Sequence, residues 1–255
     1  MVDKLENIYF ASDFHLGVPD RESSLKRELL IVRWLDEISP FAKEVFLMGD
    51  IFDFWFEYKT VVPKGYVRLL GKIAELTDKG IPVHIFRGNH DIWAFDYLKE
   101  ETGVLLYRQP IIRDFGGKKF FLGHGDGLGP GDNGYKLLKR VFENKVNQFF
   151  FSWLHPDIGT RMGLYFSHKS RIANIAREQK NDFKVEMEKE MLYIFCKKTI
   201  KEQPDINFFV FGHRHIPIDQ AINENSRMII LGDWVTNFTY AVFDGNNMEL
   251  KKFVQ

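Results

Sequence analysis

Residues 45–50 read Val45-Phe46-Leu47-Met48-Gly49-Asp50: four apolar residues, a glycine and a carboxylate. So short an apolar run, rich in aromatic and β-branched side chains, predicts a buried strand. The glycine permits a sharp turn or a close backbone approach to a ligand. Working outward, similar runs recur. Ile8-Tyr9-Phe10-Ala11 leads to DFH (Asp13 to His15), the run at 81–86 to GNHD, Phe120-Phe121-Leu122 to GHGD, and Phe208-Phe209-Val210-Phe211 to GHRH. In four of the five, a glycine (Gly49, Gly88, Gly123, Gly212) stands immediately before the metal-capable residue.

The spacing organises these runs. Asp13 to Asp50 is 37 residues and Asp50 to Asn89 is 39, each enough for one strand–helix–strand crossover. Helical patterns fill both gaps. Leu25, Leu29, Val32 and Leu35 share one face, with Ser23 or Ser24 as N-cap and Ser39-Pro40 as the stop. Val67, Leu70, Ile73 and Ala74 mark a second helix that Gly80 ends. The third gap, 35 residues to His124, predicts a shorter helix and then a strand pair around 104–107 and 111–115. From His124 to His213 there are 89 residues, mainly helical in pattern from about 133 to 201 and interrupted near His155-Pro156. This stretch reads as an insertion over the strand ends, within one domain spanning 1–255 and with a helical cap at about 130–200. Closing strands are expected at 228–231, 240–243 and 250–254. In an open α/β sheet, ligands bind beyond the carboxyl ends of the strands. The pattern therefore predicts polar side chains delivered to one common edge.

A pair of divalent ions a few ångströms apart needs a shared carboxylate to offset their repulsion, and imidazole and oxygen donors to complete each site. Such a mixed set suits manganese, iron or zinc; calcium wants all oxygen. The motifs offer carboxylates, imidazoles and the Asn89 amide. Singly each motif is weak, but five of the chain's eight histidines fall within them. His84, His155 and His168 lie outside and are expected to be structural.

The series D-x-H, G-D-x-x-D, G-N-H-D, G-H-G-D and G-H-x-H resembles the calcineurin-like metallophosphoesterase superfamily, with the likeness running from Asp13 to His215. The resemblance implies an α/β fold, a four-layer αββα sandwich. It also implies two divalent ions, most simply Mn²⁺, with Fe²⁺ or Zn²⁺ as alternatives. By matching position, Asp13, His15, Asp50 and His215 would hold one ion; Asp50 would bridge to a second held by Asn89, His124 and His213. In-line attack of a metal-bound hydroxide on phosphorus is the implied chemistry. His90 would stabilise the developing charge or protonate the leaving oxygen. Asp91 would orient His90 or cap the following helix. Asp53 and Asp126 would support the ligands.

Between residues 135 and 177 there are eight basic and two acidic residues in a chain that is neutral overall, interleaved with Phe149, Phe150, Phe151, Trp153, Tyr165 and Phe166. A basic, aromatic-rich amphipathic segment suits an anionic amphiphile or a membrane surface. The alternative is that its apolar face packs on the sheet. Here the likeness narrows to the UDP-2,3-diacylglucosamine pyrophosphohydrolase group of the lipid A pathway. It rests on HGDGLGPGDNGY (His124 to Tyr135) and LGDW (Leu231 to Trp234). It implies Asp132, Tyr135, Ser170, Asn174 and Arg177 as substrate contacts, and cleavage of UDP-2,3-diacylglucosamine to UMP and 2,3-diacylglucosamine 1-phosphate. His90 replaces an Arg of the group's best-known members, Ser167 stands where a basic residue is expected, and Arg177 replaces a Lys. A phosphoesterase of other specificity, for a nucleotide or phospholipid, is the alternative. A non-catalytic protein-binding scaffold is a third reading, but such a scaffold should have lost ligand histidines.

Cys196 is the only cysteine, so a reducing compartment is expected. The N-terminus lacks a signal-peptide pattern and no apolar run approaches the ~20 residues of a membrane span. The expectation is a cytoplasmic protein, peripheral on the cytoplasmic face of the inner membrane. Neither nucleic acid nor an obligate protein partner is expected.

Overall fold

The computed structural model describes residues 7–131, 133–180 and 186–254, with side chains not described for 170–180. Two sheets stack face to face. The first has strand order β11-β10-β1-β2-β3-β4: β1 (Asn7–Ala11), β2 (Ala42–Leu47), β3 (Val83–Phe86), β4 (Leu105–Tyr107), β10 (Thr239–Phe243) and β11 (Met248–Lys252). The second has order β5-β6-β7-β9-β8: β5 (Ile111–Phe115), β6 (Lys118–Leu122), β7 (Ile206–Phe211), β8 (Pro217–Ala221) and β9 (Arg227–Leu231). All five motif-bearing runs are strands, and β1, β2, β3 and β4 pair in parallel as the crossovers require. The edge strand β8 has no counterpart in the sequence expectations.

Alternation along each strand explains the layering, because successive side chains point to opposite faces. On one face of the first sheet, Tyr9, Ala11, Val45 and Leu47 pack with Trp34 and Leu35 of α1 (Arg21–Ile38) and Ile73 and Leu76 of α2 (Val67–Asp78). On its other face, Ile8, Phe10, Phe46 and Met48 meet Phe120, Leu122, Phe208 and Val210 of the second sheet. The rings of Phe10 and Phe46 stack at 5.2 Å. The far side of the second sheet presents Phe209, Phe211, Met228 and Ile230 to Leu192 and Cys196 of α7 (Met191–Glu202). The result is the expected helix–sheet–sheet–helix sandwich.

Two local expectations need correction. The cap of α1 is Asp20, whose Oδ1 accepts from Ser23 N at 2.8 Å. Ser24 is already inside the helix, and its Oγ accepts from Gly17 N at 2.8 Å. The strands at 105–107 and 111–115 do not pair with each other: β4 extends the first sheet beside β3, whereas β5 pairs with β6 in the second. The link Arg108-Gln109-Pro110 lacks the Gly or Asn of a tight hairpin turn, and the chain crosses from sheet to sheet instead.

The long insertion forms α4 (Asn133–Glu143), α5 (Lys145–Ser152) and α6 (Pro156–Lys180) before α7; α3 (Tyr97–Thr102) precedes β4. Neither α4 nor α5 has a buried residue. They attach through an aromatic cluster in which buried Phe54, Phe56, Ile92 and Trp93 pack against Phe142, Phe151 and Leu164, with Trp93 Nε1 donating to Phe142 O at 2.8 Å.

Candidate metal centre

Beyond the carboxyl ends of β1, β2, β3, β6 and β7, the expected side chains converge. Donor atoms of Asp13, His15, Asp50 and His215 lie within 4.8 Å of one another, as do those of Asp50, His124 and His213. Asp50 belongs to both groups. His15 Nε2 is 3.0 Å from His215 Nε2, and His215 Nε2 is 3.1 Å from Asp13 Oδ1. On the other side, His124 Nε2 is 3.3 Å from Asp50 Oδ2, and Asn89 Oδ1 is 3.3 Å from His124 Nε2 and 2.9 Å from His213 Nδ1. His124 Nδ1 donates to Met48 O at 2.8 Å, so its other nitrogen faces Asp50 and Asn89.

The backbone is bent to achieve this. Asp13, His15, Asp50, His213 and His215 all have positive φ, between 44° and 67°. They are five of the seven non-glycine residues in that region among those described. Sparsely populated backbone costs on the order of 1–3 kcal/mol per residue and persists where the surroundings over-determine it, most often at functional sites. The glycines serve the same approach. A Cβ on Gly88 would collide with the Asp50 carboxylate, and one on Gly212 with Ser12 and Asp13.

Surrounding groups hold the loops. Arg27, buried on α1, donates to the carbonyls of His15 and Val18. Trp234 N donates to Asp13 O at 3.1 Å, and Asn237 Nδ2 to His215 O at 2.7 Å. Asp233 accepts from the backbone of Val235, Thr236 and Asn237. This gives the LGDW segment a task that its sequence did not disclose. Asp53 Oδ1 is 3.3 Å from His15 Nδ1, on the side of the ring away from His215.

His90 stands against this group, its ring 4.9 Å from that of His15. Its Nδ1 donates to Asp53 O at 3.0 Å and lies 3.0 Å from Ser167 Oγ; that hydroxyl donates to the Asp53 carboxylate. Ser167 is buried although it belongs to α6 of the insertion. The expected role of Asp91 is corrected. It touches neither His90 nor a helix start: Oδ1 accepts from Gly88 N at 2.6 Å and Oδ2 from Ile51 N at 2.8 Å. Two backbone donors at the ends of β2 and β3 claim both its oxygens, and Asp96 occupies the N-cap position of α3.

Tyr135 lies 6.2 Å from His213, ring to ring, with its hydroxyl donating to Asp126, which also takes Lys139 Nζ at 2.7 Å. Asp132 and the side chains of Ser170, Asn174 and Arg177 lie outside the described residues. His84 is a core residue stacked on Phe46 at 4.1 Å and paired with Glu44 at 2.9 Å; His155 and His168 are exposed.

The electrostatics suit cations. Burial raises the Asp13 and Asp50 carboxyls, but the surrounding imidazoles outweigh it and hold both well below the carboxylate range. Burial likewise lowers the His124 imidazole, yet Asp50 and Asp13 lift it to about 10. His213 falls to about 4 through burial and repulsion from His124, and Asp91 rises to about 6 through burial and the Asp50 charge. Asp13 Oδ1 is buried and faces imidazole nitrogens, His215 Nε2 at 3.1 Å and His15 Nε2 at 3.6 Å. Carboxylates and imidazoles clustered in this way fit a pair of divalent ions of the manganese, iron or zinc kind.

The family model and the sequence of a curated relative agree. The family model for calcineurin-like phosphoesterases matches residues 7–217. The chain is 38% identical over 253 residues to a UDP-2,3-diacylglucosamine hydrolase of Porphyromonas gingivalis, covering 96% of both chains. It is 22% identical over 249 residues to a protein of the same name from Yersinia pestis, covering 96% of this chain and 98% of that one. Among solved structures, Yfce, a phosphoesterase from E. coli, aligns with a TM-score of 0.46 at 14% identity, over 95% of this chain and 90% of that one.

Proposed function

This chain belongs to the calcineurin-like phosphoesterase family, a family of hydrolases, and we propose that it hydrolyses the pyrophosphate of UDP-2,3-diacylglucosamine at the α-phosphate. The products are UMP and 2,3-diacylglucosamine 1-phosphate, in lipid A biosynthesis. The observation that carries this is the likeness, at 38% identity over 96% of both chains, to a relative of that name. The surface of the insertion supports it. Of eighteen large apolar side chains exposed among the described residues, eleven lie between Leu137 and Phe166, with Phe150 66% and Trp153 77% exposed.

Asp13, His15, Asp50 and His215 would hold one cation; Asp50, Asn89, His124 and His213 the other. Mn²⁺ is the proposed metal, and Fe²⁺ and Zn²⁺ suit the same donors. Such a pair polarises a phosphoryl oxygen and makes water a competent nucleophile at neutral pH. The protein's own residues do the rest. His124 is fixed by Met48 O so that its Nε2 points inward. His15 is fixed in the same sense by Asp53. With Nδ1–H of His90 held by Asp53 O, its Nε2 is the atom left for the substrate; when that nitrogen also carries a proton, the imidazolium would stabilise charge on the phosphoryl oxygens or pass the proton to the leaving oxygen. Asp91 keeps the β2 and β3 ends together, so that Asn89 and Asp50 stay in register.

The helices α4–α6 act as the cap that receives the acyl chains, with Tyr135, Asp132, Ser170, Asn174 and Arg177 at the glucosamine phosphate. Their exposed aromatics and flanking lysines and arginines suit the anionic cytoplasmic face of the inner membrane, as a peripheral contact. No helix among the described residues is long and apolar enough to cross a membrane. The test is to incubate the protein and Mn²⁺ with UDP-2,3-diacylglucosamine. UMP release supports the reading. Cleavage of a simple aryl phosphodiester without UMP release leaves a phosphoesterase of another specificity.

A further inference from the structure

A cavity of about 290 Å³ opens beside His124 and Asp126, between the ends of β3 and β4 and helix α4. Its wall carries five cations, Arg87, Arg108, Lys136, Lys139 and Arg140, against the two carboxylates of Asp126 and Glu143. Both lysines are already committed, Lys139 to Asp126 at 2.7 Å and Lys136 to Gly129 O at 2.6 Å. The arginines are not. Arg87 donates from Nη1 to Ile92 O at 2.8 Å, but its buried Nε has no acceptor. Arg108 has only Asp96, at 3.9 Å, and the Arg140 guanidinium has no ion-pair partner among the described residues. Guanidinium groups gathered around one concavity, with a single long carboxylate contact among them, are suited to bidentate recognition of phosphate and other polar oxygens.

The cap helix α4 is two-faced. Lys136, Lys139 and Arg140, at helical spacing, line this cavity, while Leu137, Leu138 and Val141 are exposed among the apolar residues of the cap. The cavity and the aromatic cluster around Phe54 and Trp93 are therefore different in character, although they adjoin through α4, where Phe142 packs in the cluster and Glu143 lines the cavity. The cavity is at the small end of ligand pockets, which span roughly 300–1,000 Å³, and has no room for two acyl chains.

We propose that this cavity seats the nucleoside monophosphate half of the substrate, with Arg108 and Arg140 gripping its oxygens, while the acyl chains run the other way across α5 and α6. The seat rests on the substrate reading given above and adds its direction: the scissile pyrophosphate crosses the cations with the nucleotide toward β3 and β4.

Inhibition of the Mn²⁺-loaded protein separates the two halves. Hydrolysis of bis(p-nitrophenyl) phosphate is followed with UMP or with 2,3-diacylglucosamine 1-phosphate as inhibitor. Arg108→Ala and Arg140→Ala, both at exposed positions, should each weaken UMP inhibition about tenfold, as expected for losing one charge-assisted hydrogen bond. The lipid product's inhibition constant should move less than about twofold, as for an ordinary surface change. Equal weakening of both inhibitors, or UMP inhibition untouched by either substitution, would overturn the seat. If the wild type releases UMP from UDP-diacylglucosamine while both variants keep full UMP inhibition, only the seat fails. If it releases none, yet UMP inhibition is lost in both variants, the substrate reading fails and the nucleotide seat stands.

Discussion

The metal centre and the cap hold the same kinds of residue on opposite terms. At the centre, Asp13, His15, Asp50 and His124 are almost fully buried, and bent backbone is clamped by Arg27, Asp91, Trp234 and Asn237. In the cap, no residue of α4 or α5 is fully buried, and aromatic rings face solvent. A fold of this size stabilises strained, charge-dense loops only by surrounding them with a full core on both sheets. A surface of exposed Phe and Trp gains its stabilisation from what it meets, such as lipid. The difference teaches that the buried sandwich edge holds the charge-dense donor cluster rigidly, whereas the insertion keeps an apolar surface open to solvent. Ser167 is the described point where a cap hydroxyl reaches the Asp53 carboxylate and His90.

The comparison can be broken most forcefully at Asp50. Asp50→Ala should reduce turnover on the order of 10⁴-fold or more, because the groups around it act as a unit. Metal analysis should show both cations weakened. His90→Ala should lower kcat roughly a hundredfold while metal content is kept; loss of both ions would contradict its assigned role. Ser167→Ala should lower kcat about tenfold with KM little changed, and Ser167→Thr should restore it, since the hydroxyl orients Asp53 and His90. A rise in KM alone would make Ser167 a substrate contact instead. In the cap, Phe150→Ser or Trp153→Ser should weaken binding to anionic lipid vesicles about tenfold, the loss of one buried aromatic side chain, as read by vesicle co-sedimentation.

The smallest effect concerns protons. His124, lifted to about 10 after cations are stripped by chelation, holds a proton at neutral pH. Cation binding must expel it, so affinity should rise with pH up to about 10, with close to one proton released per chain at pH 7.5 through this group. Calorimetry in buffers of different ionisation enthalpy reads that number. The stability sign is the reverse. A raised histidine pKa stabilises the stripped fold fully below its unfolded value of about 6.5, and that contribution is lost as pH climbs toward 10. The depressed Asp13 and Asp50 act oppositely, stabilising above about 4 and losing that contribution as acid protonates them.

Much of this was legible in the sequence because strands are short and ligands follow them directly. Val45-Phe46-Leu47-Met48 states both the alternation that sorts the faces and the position of Asp50. The rest depends on contacts between residues distant in the chain. Nothing near Asp91 signals that its oxygens go to Gly88 N and Ile51 N, 40 residues apart from the latter. Ser167 looked like a missing cation and is a buried hydroxyl 114 residues from its carboxylate partner. The sequence suggests a strand pair around 104–107 and 111–115, whereas the chain changes sheets between them. Local pattern carries no information on which sheet a strand will join.

Anomalous scattering from Mn²⁺-soaked crystals tests the central claim most directly. Two peaks about 3.5–4 Å apart, with the Asp50 carboxylate between them, are predicted. A single peak, or two peaks that Asp50 does not join, would contradict it.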